Sequence, residues 1–459
     1  MTIDASPDHT VRAAIAARFE RLPLCRWHVT VRLIVGAVTF FEAFDQLLIA
    51  YALPELRHEW DLSTSAATLL LTVGSIGMLI GALLSGRLAD RIGRVKVIAL
   101  CVAVSSVANL ALSVATSPDS FMALRFVQGL AIGGEVPVAA TFIAEITRSH
   151  QRGRFVLLYE LVFPAGLTLG ALVAAWVVPV LGWRWMYALA AVPGLLCILV
   201  QRKVPESPRW LADHGRTEEA ADVMSGIEAE VERITGKPLP PVPEALPVVA
   251  PGEAASGLRG LFTGRYRRRT LVIGVLWFTG YFVNYGITSW LPTIYQNRYD
   301  LSLSDALLYS TVTSCAGLIG CLVAALTVDR VGRRKVITGC LGGAAVMLVA
   351  LAAVGAGTPL QVLVWTSLAA VFFFGSNICL YLYTPELFPT RMRALGSSVG
   401  GAMNRLGVIL GPIVVGVVYA GGNVSTVFVM LGAVAVVGCV VAAVGAEETA
   451  GRRLEEVSP

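Results

Sequence analysis

Gly86-Arg87-Leu88-Ala89-Asp90-Arg91-Ile92-Gly93-Arg94 lies between two long apolar stretches, and Asp329-Arg330-Val331-Gly332-Arg333-Arg334-Lys335 lies between two more. The aspartates are 329 − 90 = 239 residues apart. A basic, glycine-containing turn repeated half a chain later, each time between membrane-length segments, marks two related halves that each cross a bilayer several times. Two further landmarks keep nearly this offset. Glu145, followed by Arg152 and Arg154, is matched by Glu386, followed by Arg391 and Arg393, at 386 − 145 = 241. Pro205-Glu206-Ser207 is matched loosely by Glu447-Glu448-Thr449, at 448 − 206 = 242.

The composition agrees. Only 15% of the 459 residues are charged and 56% are hydrophobic, whereas a soluble chain carries about 25% charged residues. The 45 glycines suit close helix packing in lipid, where small residues let backbones approach. The net charge of +5 sits in short loops rather than on one face, so nucleic acid is excluded as a partner. The eight cysteines are scattered through apolar runs without a CxxC pair or a histidine cluster, and they read as buried apolar residues. No metal and no cofactor are expected. The first 26 residues are interspersed with charges and hold no apolar core, so no cleavable signal is expected and the first span serves as the insertion signal.

Apolar stretches of about 20 residues, the spanning length, occur at 31–53, 66–86, 95–115, 120–143, 155–178, 183–201, 270–294, 305–327, 335–355, 360–383, 394–419 and 424–446. They lack the period-2 alternation of strands. The expected fold is an all-α membrane protein, twelve transmembrane helices as two six-helix halves. Arg and Lys gather after the even spans, and the short loops after odd spans hold little beyond Arg57, Arg184 and Arg298. Both termini are therefore expected in the cytoplasm. The predicted organisation is a cytoplasmic segment 1–30, a six-helix bundle 31–201, a cytoplasmic linker 202–269, a second bundle 270–446 and a tail 447–459. Within the linker, Ala220, Val223, Met224, Ile227 and Val231 have the spacing of an amphipathic surface helix. The Pro-rich run 237–243 reads as extended.

These residues resemble the major facilitator superfamily over nearly the whole chain. Asp90-Arg91-x-Gly93-Arg94 looks like its signature loop between spans 2 and 3, and Arg125 to Glu135 looks like its span 4 pattern. Pro205-Glu206-Ser207-Pro208-Arg209-Trp210-Leu211 and Pro385-Glu386-Leu387-Phe388-Pro389-Thr390-Arg391 are similar to the sugar-porter branch. Gly133-Gly134-Glu135 and Asn404-Arg405-Leu406-Gly407 look more like bacterial organic-acid and niacin-type carriers. Two departures stand out. Span 7 lacks the Gln-Gln-x-Ser-Gly pattern of hexose carriers, which counts against a sugar. The second loop copy has Ala325 where the first has Gly86, which implies looser packing there.

Charge inside a spanning helix costs about 2.5–3.5 kcal/mol, so Glu42, Asp45, Arg125, Glu135, Glu160 and Arg405 need partners or water. At 1.5 Å per residue, Asp45 lies roughly 12 Å and Arg125 roughly 8 Å below the outer end of their spans. The two are expected to pair. In carriers of this resemblance, a span 1 acid near a span 4 arginine couples transport to protons; a static ion pair is the other reading. Glu42, one turn from Asp45, either shares its water or faces a neighbouring helix. Glu135 and Glu160 are expected in a cytoplasmic charge-relay cluster with Arg94, Glu145, Arg152 and Arg154; a direct substrate or proton role is the other reading. Arg405, roughly 16 Å into span 11, is expected at the midplane. There it serves either as counter-ion to a carboxylate substrate or as partner to an acid of the other half. Asn404, Trp277, Tyr281, Asn284, Tyr285, Asn377 and Tyr381 are expected to line the site, with Phe41 and Phe44 closing the other side. An aromatic stripe of this kind also serves plain packing. Gly86, Asp90, Arg91, Gly93, Arg94, Glu206, Arg209, Asp329, Arg330, Arg333, Glu386, Arg391 and Arg393 are read as gating machinery. Asp90 is expected to accept hydrogen bonds at a helix N-terminus.

The resulting reading is a monomeric, multi-pass inner-membrane carrier. It moves a small organic anion, aromatic or another carboxylate, with protons by alternating access in the lipid bilayer. Within the class, a sugar or polyol symporter and a drug or metabolite exporter stay open; outside it, a non-transporting sensor. No GxxxxGK[ST] loop and no nucleophile–base cluster argue for an enzyme.

Overall fold

The computed structural model describes residues 14–15, 17–23, 25–146, 161–242, 258–421 and 423–450. Among the described residues, twelve helices are long and apolar enough to cross a membrane. They are α1 (Arg26–Glu59, interrupted by a turn at Leu47), α2 (Thr64–Ile92), α3 (Arg94–Ser113), α4 (Pro118–Glu145), α5 (Val162–Leu181) and α6 (Trp183–Lys203) in the first half. The second half has α7 (Gly264–Thr288), α8 (Leu303–Val331), α9 (Arg333–Val354), α10 (Pro359–Glu386), α11 (Thr390–Ala420) and α12 (Val424–Gly445). The described residues contain no strand.

Local chemistry sets the ends. Ser63, Ser117, Ser302 and Thr358 each accept a backbone N–H from the first turn of α2, α4, α8 and α10, and Gln361 completes a capping box. Prolines lie at two of the breaks. A 3-10 turn over Val192–Leu195 holds Pro193 within α6, and α7 stops at Thr288 before a short helix, Leu291–Tyr299, that starts with Pro292. Span 7 thus begins six residues before the apolar stretch at 270, because Gly264 to Arg269 continue the helix as a basic turn beyond the apolar part.

Within each half the helices meet backbone to backbone. A Cβ at Gly81 would strike the carbonyl of Leu130, and one at Gly320 the carbonyl of Val371. The offset 320 − 81 = 239 equals that of the loop aspartates, so the same contact, α2 on α4 and α8 on α10, is built twice. Trp176, Val180, Leu326, Val417 and Val444 are all at least 70% exposed. Apolar exposure on this scale reads as a lipid-facing belt.

The halves touch through α5 on α8 and α2 on α11. Thr311 Oγ1 donates to the Ala171 carbonyl at 3.0 Å and Thr168 Oγ1 to the Ser314 carbonyl at 3.3 Å. Gly416 lies against the Thr68 side chain. These contacts occupy the middle of the spans and the end away from the repeated loops. The linker helix Thr217–Thr235 buries Ala220, Met224, Ile227 and Val231. Its Glu228 receives Arg18 and Arg21 at 2.7 Å each. Burial would raise that carboxyl, but the two guanidiniums outweigh it and hold it below the usual range.

Candidate functional site

Four polar side chains converge inside the first half. Asp45 is 3% exposed. It accepts from Asn109 Nδ2 of α3 at 2.8 Å and from Gln128 Nε2 of α4 at 2.9 and 2.8 Å. Arg125 does not reach Asp45. Its Nη1 donates to Gln128 Oε1 at 2.5 Å, so the expected direct ion pair is replaced by a bridge. Gln128 stands three residues from Arg125 on the same helix face, and its shorter amide fills the space next to Asp45. The reading of the sequence missed Gln128 and Asn109; an uncharged amide one turn from a buried arginine was the available signal. Tyr187 of α6 lies beside both charges, its hydroxyl buried without a hydrogen-bond partner among the described residues.

Glu135 corrects another expectation. It lies not with Arg94 and Glu145 but against Glu42, and its Oε1 accepts from Thr39 at 3.4 Å. Gln128 and Glu135 are seven residues, about two turns, apart, so both point at α1. Glu160, Arg152 and Arg154 lie outside the described residues.

Aromatic rings of the second half build the cavity. Trp277 and Tyr281 stack at 5.5 Å and Tyr281 and Tyr285 at 6.1 Å along one face of α7. Tyr381 of α10 meets Trp277 edge-on at 4.7 Å, and its hydroxyl is 3.2 Å from that of Tyr281. Trp277 Nε1 donates to Thr384 Oγ1 at 2.8 Å, which fixes the ring. Tyr281, Asn284, Tyr285, Asn377 and Tyr381 line one wall, and Phe163, Pro164 and Leu167 of α5 form the other. Phe41 and Phe44, expected on that wall, instead pack edge-to-face on α1, and Phe44 backs onto Gly170 of α5. The α5 residues were missed because an all-apolar run carries no mark of which side meets the other half. Nδ2 of Asn377 donates to the Gly280 carbonyl at 3.4 Å, and its Oδ1 is buried without a hydrogen-bond partner among the described residues. The space measures about 30 Å³, room for one or two waters.

Arg405 sits at the middle of α11, beside Tyr285. Its Nη1 is 4.0 Å from Met78 Sδ, and Gln46 Nε2 lies 3.9 Å from the same sulfur. The thioether thus joins Arg405 of one half to the residue next to Asp45 of the other. No acid among the described residues pairs with Arg405, so the alternative of an ion pair between halves is not met. Asn404 is buried next to it but does not line the cavity.

At the repeated loops, Gly93 (φ 111°) and Gly332 (φ 103°) hold a backbone shape that favours glycine. A Cβ at either would strike a carboxylate, Glu206 or Glu448. Those carboxylates cap the next helix: Glu206 Oε1 accepts from the Arg94 and Val95 N–H at 2.9 and 3.1 Å, and Glu448 Oε1 from the Arg333 N–H at 2.8 Å. Capping therefore falls to Glu206, not to Asp90, whose exposed carboxylate pairs with Arg94 at 2.6 Å. Trp210 Nε1 donates to the Asp90 carbonyl at 2.9 Å, which docks the Pro205–Trp210 stretch on the loop. Arg94 also lies 3.5 Å from Glu145. In the second half Arg333 meets Asp329 at 2.8 Å and Glu386 at 3.1 Å. Each of these pairs stays within its own half. Arg209 lies over the Phe19 ring at 5.5 Å, while Arg91 and Arg330 are exposed. The side chains of Arg391 and Arg393 lie outside the description. A Cβ at Gly86 would meet nothing, so Ala325 in the second copy loosens no packing.

Residues 33–459 match the family described as "Sugar (and other) transporter". The niacin transporter NiaP of Acinetobacter baylyi is 33% identical over 96% of this chain and 99% of its own. The gallate transporter of Pseudomonas putida is 28% identical over 90% of each. The 4-hydroxybenzoate transporter PcaK of Acinetobacter baylyi is 26% identical over 93% of each. Among solved structures, a D-xylose–proton symporter superposes with a TM-score of 0.71 at 20% identity, over 92% of this chain and 99% of that one. That likeness concerns the fold.

Proposed function

The chain belongs to the sugar (and other) transporter family of the major facilitator superfamily, and from that footing we propose that it is a proton-coupled symporter of a small aromatic carboxylate. It is a secondary transporter, not an enzyme. The observation that carries the substrate class is Arg405, a permanent cation at the seam of the halves, beside Tyr285 and without an acid to neutralise it among the described residues. A forked guanidinium next to stacked rings suits a planar acid. Three relatives are named for niacin, gallate and 4-hydroxybenzoate, all compounds of this chemistry.

The proton site is the Asp45 cluster. Asn109 and Gln128 hold the carboxylate, and Gln128 passes the field of Arg125 to it. The contacts at Thr68, Ala171 and Gly416 hold the halves together at the middle of the spans and at the end away from the basic loops. Substrate of aromatic size needs far more than the present volume, so binding requires α5 to part from α7 and α10. Rocking of the halves about the cavity then alternates its access. A monovalent anion moving with one proton is electroneutral, so each unit of pH gradient, about 1.4 kcal/mol, supports about tenfold accumulation.

The test is uptake into proteoliposomes holding the purified protein. An imposed pH gradient should concentrate nicotinate, gallate or 4-hydroxybenzoate but not xylose. Asp45→Asn should abolish accumulation while counterflow exchange persists. Uptake of xylose alone, or gradient-driven accumulation by Asp45→Asn, defeats the proposal.

A further inference from the structure

Glu42 of α1 and Glu135 of α4 are buried within the spans at 6% and 0% exposure, with their carboxyls in hydrogen-bonding reach of each other. Among the described residues, neither meets a donor that accounts for this contact. Both oxygens of Glu42 and Oε2 of Glu135 are buried without a partner, and only Glu135 Oε1 takes a hydroxyl, that of Thr39. The titratable groups facing the pair are Asp45 on α1 and Cys101 on α3; no cation among the described residues joins them. Two facing acceptors this deeply buried lack one thing, a hydrogen between them. Adjacent carboxyls cannot both ionise there. A metal ion fits less well. Calcium wants six to eight oxygens, and the described residues hold no cluster suited to a metal.

We propose that Glu42 and Glu135 share one proton and form a second protonation site, separate from Asp45. Glu42 lies three residues, about 4.5 Å along the axis, from Asp45 toward the basic-loop end. Glu135 lies seven residues from Gln128 in the same direction. The pair is therefore the next acceptor for a proton leaving Asp45 toward that end. Asp45 becomes anionic, and the pair, which carried one proton and one negative charge, becomes neutral until it releases one. This relay role rests on the proton-coupled reading, whereas the shared proton belongs to the resting protein and is tested without transport.

The experiment is infrared spectroscopy of the purified full-length protein in lipid nanodiscs. At neutral pH the wild type should show the C=O stretch of a protonated carboxyl. Asp45→Asn should keep that band, and Glu42→Gln/Glu135→Gln should lose it. A wild type without the band overturns the proposal, as does a double variant that retains it. So does a band that disappears when sodium replaces potassium, which would mean a bound cation. Thermal melting gives a second readout. Alkaline pH strips the proton and leaves two facing carboxylates, so the wild-type Tm should fall there and Glu42→Gln should flatten the fall. Equal slopes count against the shared proton. If Asp45→Asn still accumulates substrate while the band stands, the coupling role of Asp45 fails and the pair survives.

Discussion

Replacing Arg405 with alanine removes the cation that the proposed substrate carboxylate meets. The guanidinium is half-buried, has no acid partner among the described residues, and lies 4.0 Å from the Met78 thioether and beside Tyr285. Its loss therefore leaves no protein carboxylate stranded, and the effect falls on the ligand. Truncating one partner of a buried charged pair costs about 2–5 kcal/mol. Half exposure selects the lower end, about 2–3 kcal/mol, or about 30- to 150-fold in Kd. Lysine keeps the charge but not the fork, so Arg405→Lys should lose about tenfold. The assay is calorimetric titration of purified protein with nicotinate and with nicotinamide, the same ring without the charge. Arg405→Ala should lose nicotinate binding in this range and leave nicotinamide binding unchanged. Unaltered affinity for nicotinate refutes the assignment. Equal losses for both ligands would show that Arg405 shapes the cavity rather than meets a carboxylate.

Other outcomes follow from the same contacts. Gly93→Ala puts a Cβ into the Glu206 carboxylate at φ 111°; strain and the disturbed cap should cost about 2 kcal/mol or more, seen as a lower Tm. Gly86→Ala meets open space and should stay within about 0.5 kcal/mol of wild type in the same melt. Gln128→Leu takes two hydrogen bonds from Asp45 and one from Arg125. Gradient-driven uptake in proteoliposomes should fall by about tenfold or more, with counterflow largely kept. Hydrogen bonds from Arg269 hold the Glu447 carboxyl below the usual range. A depressed acid adds stability above its unfolded value of about 4.3, and that stability is lost as pH falls through the folded value. The Tm gap between wild type and Glu447→Gln should therefore be widest at neutral pH and close in acid.

The twelve spans, their grouping in two halves and the family were legible in the chain itself. Apolar length, loop charge and a repeat offset are properties of a line, and lipid enforces them wherever the helices end up. The stacked aromatic face of α7 was legible too, because Trp277, Tyr281 and Tyr285 recur at helical spacing, but that Trp277 packs behind the cavity rather than lining it was not. What the line could not carry was rotation and depth. Whether Asp45 would meet Arg125 or Gln128, and whether Glu135 would join Arg94 or Glu42, depends on how α4 turns against α1. That turn follows from backbone contacts such as Gly81 on Leu130. The same holds for Phe163, Pro164 and Leu167, which are indistinguishable from their apolar neighbours until α5 is set against the second half. Helix formation and insertion are decided residue by residue along the chain; the pairing of buried charges is decided by packing between helices, and only the folded arrangement contains it.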